Sequence, residues 1–195
     1  MVKDLTYGEE VLRKILHMFT GIVSIGIGLW IEQAYGMAAV KGILLVALLF
    51  SLAIDYARNE LGLNIYILPF LQRKREVGHL HAITHALMGA LIALQFFNRE
   101  VVIAALAMFF FGDAAAALIG KRFGTVKLVG KKSLQGSAAM FVVSALVGWL
   151  IVPMPIAFAM AAAATFSEAL VNIIDDSLVI IVFAGFVGDV LLSVL

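Results

Sequence analysis

Long apolar runs broken by short polar stretches set the pattern of this chain. The runs occupy about 13–31, 35–55, 80–97, 100–119, 135–152, 154–171 and 177–195, and they predict about seven helices. Each approaches the roughly 20 mostly apolar residues that a membrane-spanning helix needs. The breaks at 32–34, 98–99 and 153 are very short, so neighbouring helices must run antiparallel. Those at 56–79 and 120–134 are longer and basic. Inside the first long break lies an apolar stretch, 61–71, interrupted by Asn64 and Pro69. It is too short to span and predicts an interfacial or re-entrant helix. Alanines at 114–117 and across 159–164 allow helices to approach closely.

Composition fits the pattern. The chain of 195 residues is 63% hydrophobic and 14% charged, with a mean hydropathy of +1.07. A soluble domain carries about 45–50% apolar and about 25% charged residues. The fold class expected is therefore all-α, a polytopic integral membrane protein in one domain over 1–195. Lys3, Arg13 and Lys14 before the first run resemble a signal-peptide start, but Glu9 and Glu10 interrupt it and no small-residue cleavage site follows. The run is read as a retained first helix. The absence of cysteine excludes disulfides and thiolate metal sites. Net charge is only +1, and nothing points to nucleic acid.

The distribution of charge says more than its sum. Threading seven spans puts the N-terminus, the 56–79 and 120–134 loops and the 172–176 turn on one side. That side receives Lys3, Arg13, Lys14, Arg58, Arg73, Lys74, Arg75, Lys121, Arg122, Lys127, Lys131 and Lys132, twelve of the fourteen basic residues. Only Lys41 and Arg99 fall opposite. The positive-inside rule makes the first side cytoplasmic, with the N-terminus inside.

Nearly every unusual polar residue falls in the same layer. The stretch FGDAAAALIGKRFG at 111–124 places Asp113 inside an apolar segment, roughly 20 Å into its span at 1.5 Å per residue. A charge at membrane depth marks a working site with a nearby partner. Arg13, Lys14 and His17 open span one, Asp55 and Arg58 close span two, and Glu76, His79, His81 and His85 lead into span three. Glu168 ends span six, and Asp175 and Asp176 open span seven. Asp113, Asp175 and Asp176 are the candidate catalytic and Mg²⁺-binding acids, because Mg²⁺ is shared between carboxylates and substrate phosphates. Lys132 is the candidate catalytic cation, since lysines neutralise charge on a transferring phosphoryl group. Glycines admit phosphate oxygens to backbone N–H groups.

Plainer readings compete with these. The segment 124–133 looks like a P-loop, but its glycines are five residues apart rather than four and no strand precedes it. The 121–132 cations also suit a solvated loop. His81 and His85 share a helix face, yet no zincin-type Glu lies between them. Asp55–Arg58 reads as an interfacial ion pair, and Asp189 as interfacial. A small proton- or cation-coupled transporter would also carry intramembrane acids, although its site would tend toward the midplane.

At these residues the chain resembles the CTP-dependent polyprenol kinases. That group includes dolichol, phytol and farnesol kinases and the yeast-type CTP-dependent diacylglycerol kinase, within a superfamily shared with the phosphatidate cytidylyltransferases. Arg13-Lys-Ile-Leu-His17, the Gly112-Asp113 pair with Gly120 and Lys121-Arg-Phe-Gly124, Lys132-Ser-Leu-Gln-Gly-Ser137, and Glu168 followed by Asp175-Asp176 are similar to its four segments in order. Gln135 and Ser177 depart from the usual Glu and Asn. The resemblance implies CTP as donor and a lipid monophosphate as product. It implies nucleotide-binding roles for Arg13, Lys14, His17, Gly112, Gly120, Lys121, Arg122, Gly124, Lys131, Ser133, Gly136, Ser137 and Glu168. The longer cytidylyltransferase signature is absent, which favours the kinase branch. The expectation is transfer of the CTP γ-phosphate, with Mg²⁺, to a long-chain isoprenoid alcohol; diacylglycerol as acceptor and nucleotidyl transfer are the alternatives. Oligomeric state is left open, a homo-oligomer included.

Overall fold

The computed structural model describes residues 6–61, 80–128, 130, 132–170 and 176–194. It is built of helices: α1 (Tyr7–Tyr35), α2 (Met37–Asn59), α3 (Ala82–Phe96), α4 (Arg99–Ala107), a π-helical turn (Met108–Gly112), α5 (Asp113–Phe123), α6 (Leu134–Trp149), α7 (Met154–Leu170) and α8 (Asp176–Val194). The stretch Arg99–Phe123 runs on through the π-turn as one rod of 25 residues. Among the described residues, seven helical rods stand where seven apolar runs predicted them, with ends shifted by a few residues. Four are long and apolar enough to cross a bilayer: α1, α2, the Arg99–Phe123 rod and α8. α3, α6 and α7 are apolar but span only about 22–26 Å at 1.5 Å per residue. The apolar 61–71 stretch lies outside the described residues.

Local chemistry sets the helix ends. Glu9, which interrupted the basic N-terminal pattern, belongs to a capping box. Its backbone N–H donates to Thr6 Oγ1 at 3.4 Å, and its carboxylate accepts from the Thr6 backbone N–H at 2.6 Å. A single residue, Gly36, joins α1 to α2. Its φ of +82° is a conformation that side chains with a Cβ rarely adopt.

The Arg99–Phe123 rod is the centre of the fold. Val101, Val102, Ala104, Ala105 and Met108 are buried against Met140 of α6, Ile156 and Met160 of α7, and Ile180 and Ile181 of α8. α1 and α2 lie at the periphery and present Phe19, Ile22, Val46, Leu49 and Phe50 outward. Exposed apolar faces on this scale belong in lipid, and Trp30, Tyr35, Tyr56 and Trp149 sit exposed near helix ends, where interfacial aromatics are found.

Cross-helix polar contacts sort into two layers. At one end Lys121 of α5 donates to the Thr6 carbonyl, Lys14 of α1 meets Asp113 of α5, α2 is tied to α3 through Asp55, and Lys132 meets Glu168 of α7. At the other end Arg99 of α4 pairs with Glu32 of α1, Lys41 of α2 bonds Gln95 of α3, and Asn98 bonds Asp189 of α8. This is the alternation that the apolar runs implied.

Candidate active site

One of these contacts joins α1 to the central rod. Lys14 is fully buried and its ammonium pairs with Asp113 Oδ2. His17, one turn further along α1, places Nε2 at 3.6 Å from the same oxygen. Its ring stands edge-on to Phe109, with centroids 5.0 Å apart, and tilts against Phe110 at the same distance. One turn beyond, Gly21 lies against Phe110, and a Cβ there would come within 2.3 Å of the ring. Lys14, His17 and Gly21 thus form one face of α1, seated on the π-turn that ends just before Asp113. π-turns break helical phase and occur often at functional sites. Arg13 points elsewhere: it pairs with Glu10 on its own helix, and its Nε is buried without a hydrogen-bond partner.

A second ion pair closes the space between α6 and α7. Lys132 Nζ lies 3.4 Å from Glu168 Oε1 and also donates to the Glu168 carbonyl. Ser133 caps α6, accepting from Gly136 N–H at 3.2 Å. Ahead of it, the 124–133 loop folds on itself through a bridge between Lys127 and Ser133, and Gly130 takes a φ of +64°. Gln135 accepts from the N–H groups of Thr125 and Val126 at 3.2 and 3.3 Å and donates to Thr125 Oγ1 at 2.5 Å. An amide can both accept and donate there, a concrete role for a position where Glu was expected.

The signature glycines share one geometry. A Cβ on Gly136 would meet the Ala116 carbonyl oxygen at 2.7 Å, one on Gly124 the Gly120 carbonyl oxygen at 2.2 Å, and one on Gly112 the Ser144 hydroxyl at 2.3 Å. A Cβ on Gly120 would meet Ser133 Oγ at 3.0 Å. Their visible work is to let α5, α6 and the loop touch. Ser137, on the face of α6 toward the rod, has a buried hydroxyl with no hydrogen-bond partner. Lys121 reaches the Thr6 carbonyl at 3.1 Å, and the Arg122 guanidinium lies over the Tyr7 and Phe123 rings. Both exposed cations thereby gather at the α1–α5 end. Asp176 begins α8, but its side chain, and all of Asp175 and Lys131, lie outside the described residues. Among the described residues no three His, Asp or Glu side chains stand grouped for a metal ion.

A third cluster was underestimated in the sequence. Asp55 is not an interfacial partner of Arg58 alone; it is buried and collects donors from two helices. Its carboxylate accepts from Arg58 at 3.3 Å, from Thr84 Oγ1 at 2.6 Å, from the His81 backbone N–H at 3.0 Å, and contacts the His81 ring. Arg58 also lies 2.8 Å from His81 Nε2, and Ser51 bonds Thr84 at 2.6 Å. Both ring nitrogens of His81 are thus engaged, and His85 Nδ1 lies 3.1 Å from the His81 carbonyl. That arrangement runs against a metal role for His81; His79 and Glu76 lie outside the described residues. The i, i+3 spacing of Asp55 and Arg58 was visible in sequence, whereas Thr84 and His81 come from another helix.

Two curated relatives are similar to this chain in sequence. The chain is 27% identical over 153 residues to CTP-dependent diacylglycerol kinase 1 of Saccharomyces cerevisiae, an overlap of 75% of this chain and 52% of that protein. It is 29% identical over 146 residues to the protein of the same name from Eremothecium gossypii, covering 72% of this chain and 45% of the relative. The chain spans about half the length of the curated relatives it matches. No family model matches it, and no solved structure does.

Proposed function

We propose that this chain is a CTP-dependent lipid kinase whose acceptor is diacylglycerol, and that all seven rods belong to its membrane domain. The relatives support the lipid-kinase reading, and their names favour diacylglycerol over the isoprenoid alcohol expected from sequence. The observation that carries the proposal is the buried Lys14 paired with the part-exposed Asp113, with His17 beside it, between α1 and the π-turn. A full cation and an acid at membrane depth are costly to maintain without a task.

In the reaction proposed, the hydroxyl oxygen of diacylglycerol attacks the γ-phosphorus of CTP. The bond from that phosphorus to the β–γ bridging oxygen breaks, CDP leaves, and a lipid monophosphate forms. The Asp113–His17 pair takes the hydroxyl proton. Lys14 fixes the Asp113 carboxylate and opposes negative charge growing beside it. Lys132, on a loop anchored by Ser133 and Gln135, attracts the triphosphate together with the exposed Lys121 and Arg122 of α5. Mg²⁺ suits the hard oxygens of Asp113 together with Asp175 and Asp176, and when bound it would neutralise phosphate charge. By the positive-inside rule this layer faces the cytoplasm.

The test is purified protein in vesicles with CTP labelled at either the γ or the α phosphate, offered diacylglycerol or a polyprenol. The expected result is γ label in phosphatidate, no α label in lipid, and little transfer to polyprenol. Label from the α position would establish nucleotidyl transfer instead. Ion flux without CTP consumption would establish a transporter.

A further inference from the structure

At the end of the molecule opposite Asp113, one ion pair forms, Asp189 is met by a neutral amide, Glu100 is exposed, and Lys41 is the cation with no carboxylate partner among the described residues. Arg99 is met by Glu32 at 2.7 and 2.8 Å, and Asp189 accepts two bonds from Asn98. Lys41, in the first turns of α2, has only a neutral partner, the Gln95 amide oxygen of α3 at 3.2 Å. No carboxylate among the described residues pairs with it.

This uncompensated ammonium stands at the mouth of a groove of about 410 Å³ between α2 and α3. Lys41, Gly42 and Leu45 form one wall, and Leu91, Ile92, Gln95 and Phe96 form the other. The groove has a direction. Lys41 and Gln95 lie at its polar end; Leu45 on α2 and Leu91 on α3 lie one helical turn, about 6 Å, further into the apolar zone. The groove is open at Gly42, where an added Cβ would meet nothing within 4 Å. α2 is peripheral, with Ile43, Val46 and Leu49 exposed around it, so this surface is turned to lipid.

A cation at the interface, a hydrogen-bonding amide beside it and an apolar channel running inward match the order of parts in a phospholipid. We propose that this groove seats an anionic glycerophospholipid of the leaflet opposite the Asp113 layer, its phosphate on Lys41 and one acyl chain along Leu45, Leu91 and Ile92. The site is separate from the CTP chemistry and does not depend on it. A zwitterionic lipid fits the channel but brings no net charge to Lys41, so the site discriminates by headgroup.

The chain has no cysteine, so one can be placed at will. A Phe96→Cys protein carrying a bimane label at the rim of the groove is reconstituted into phosphatidylcholine vesicles. Dibrominated phosphatidylglycerol or dibrominated phosphatidylcholine is then added at equal mole fraction. The anionic lipid is expected to quench more strongly, with a local preference of about fivefold, the size of one lysine–anionic lipid contact. Lys41→Gln should bring the two lipids to parity, and Gly42→Phe, which fills the groove, should weaken quenching by both. Thermal melts and size-exclusion profiles matching the parent show that the variants fold. Equal quenching by the two lipids in the parent, or an anionic preference that survives Lys41→Gln, overturns the proposal. Absence of quenching by either lipid also overturns it, and would point to a second copy of the chain covering the groove.

Discussion

Lys14 would be among the costliest side chains in the molecule to bury were Asp113 not beside it. Removing one member of a buried ion pair costs about 3–5 kcal/mol, whereas replacing both by apolar groups of similar size is near neutral or stabilising. Asp113→Asn should therefore lower the melting temperature as well as activity, and its lost activity alone does not establish a chemical role. The double variant Lys14→Met/Asp113→Leu should regain most of the lost stability in the same thermal melt while remaining inactive. A double variant as unstable as the single one would show that Lys14 is not buried as described. Asp113 was legible in the sequence because an acid interrupts an apolar run. Its partner was legible only as a member of a motif: no local pattern says that Lys14, rather than Arg13, faces it across 99 positions. Asp55 was legible as the partner of Arg58, which it is at 3.3 Å, but its other partners come from residues 26 and 29 positions away.

Among the elements, apolar runs located every rod because a helix in lipid must be apolar along its length. They could not locate the π-turn at Met108–Gly112, whose five residues read as an ordinary continuation. Nor could they show that the glycines after it would set how closely helices approach. Gly136 and Ala116 bring α6 onto α5 at backbone distance, so Gly136→Val forces a clash with a carbonyl that cannot swing away. The expected loss is about 1–3 kcal/mol, the usual cost of overpacking, read as a lower melting temperature. CTP turnover should fall with it, because the Lys132 loop is anchored on the same turn. A Gly136→Val protein with parental stability would mean that the two helices are not in contact there.

For the molecule as a whole, charge bias and helix count agree with the observed sorting of polar contacts into two layers. The cytoplasmic assignment of one layer follows from the sequence threading, which allots twelve of the fourteen basic residues to one side. Single cysteines at Lys127→Cys and Gln33→Cys test it with a membrane-impermeant maleimide on sealed cells. Gln33→Cys should react directly and Lys127→Cys only after permeabilisation; the reverse pattern would invert the topology. The acceptor lipid was the least legible property, because the walls that choose it are interchangeable Leu, Val, Ala and Phe. The most direct measurement is transfer of γ label from CTP to diacylglycerol by the parent protein and by the stability-matched Lys14→Met/Asp113→Leu variant. Labelled phosphatidate from the parent and none from the variant is the expected result. Equal transfer by both would contradict a catalytic role for the Lys14–Asp113 pair, and no transfer by the parent would contradict the kinase itself.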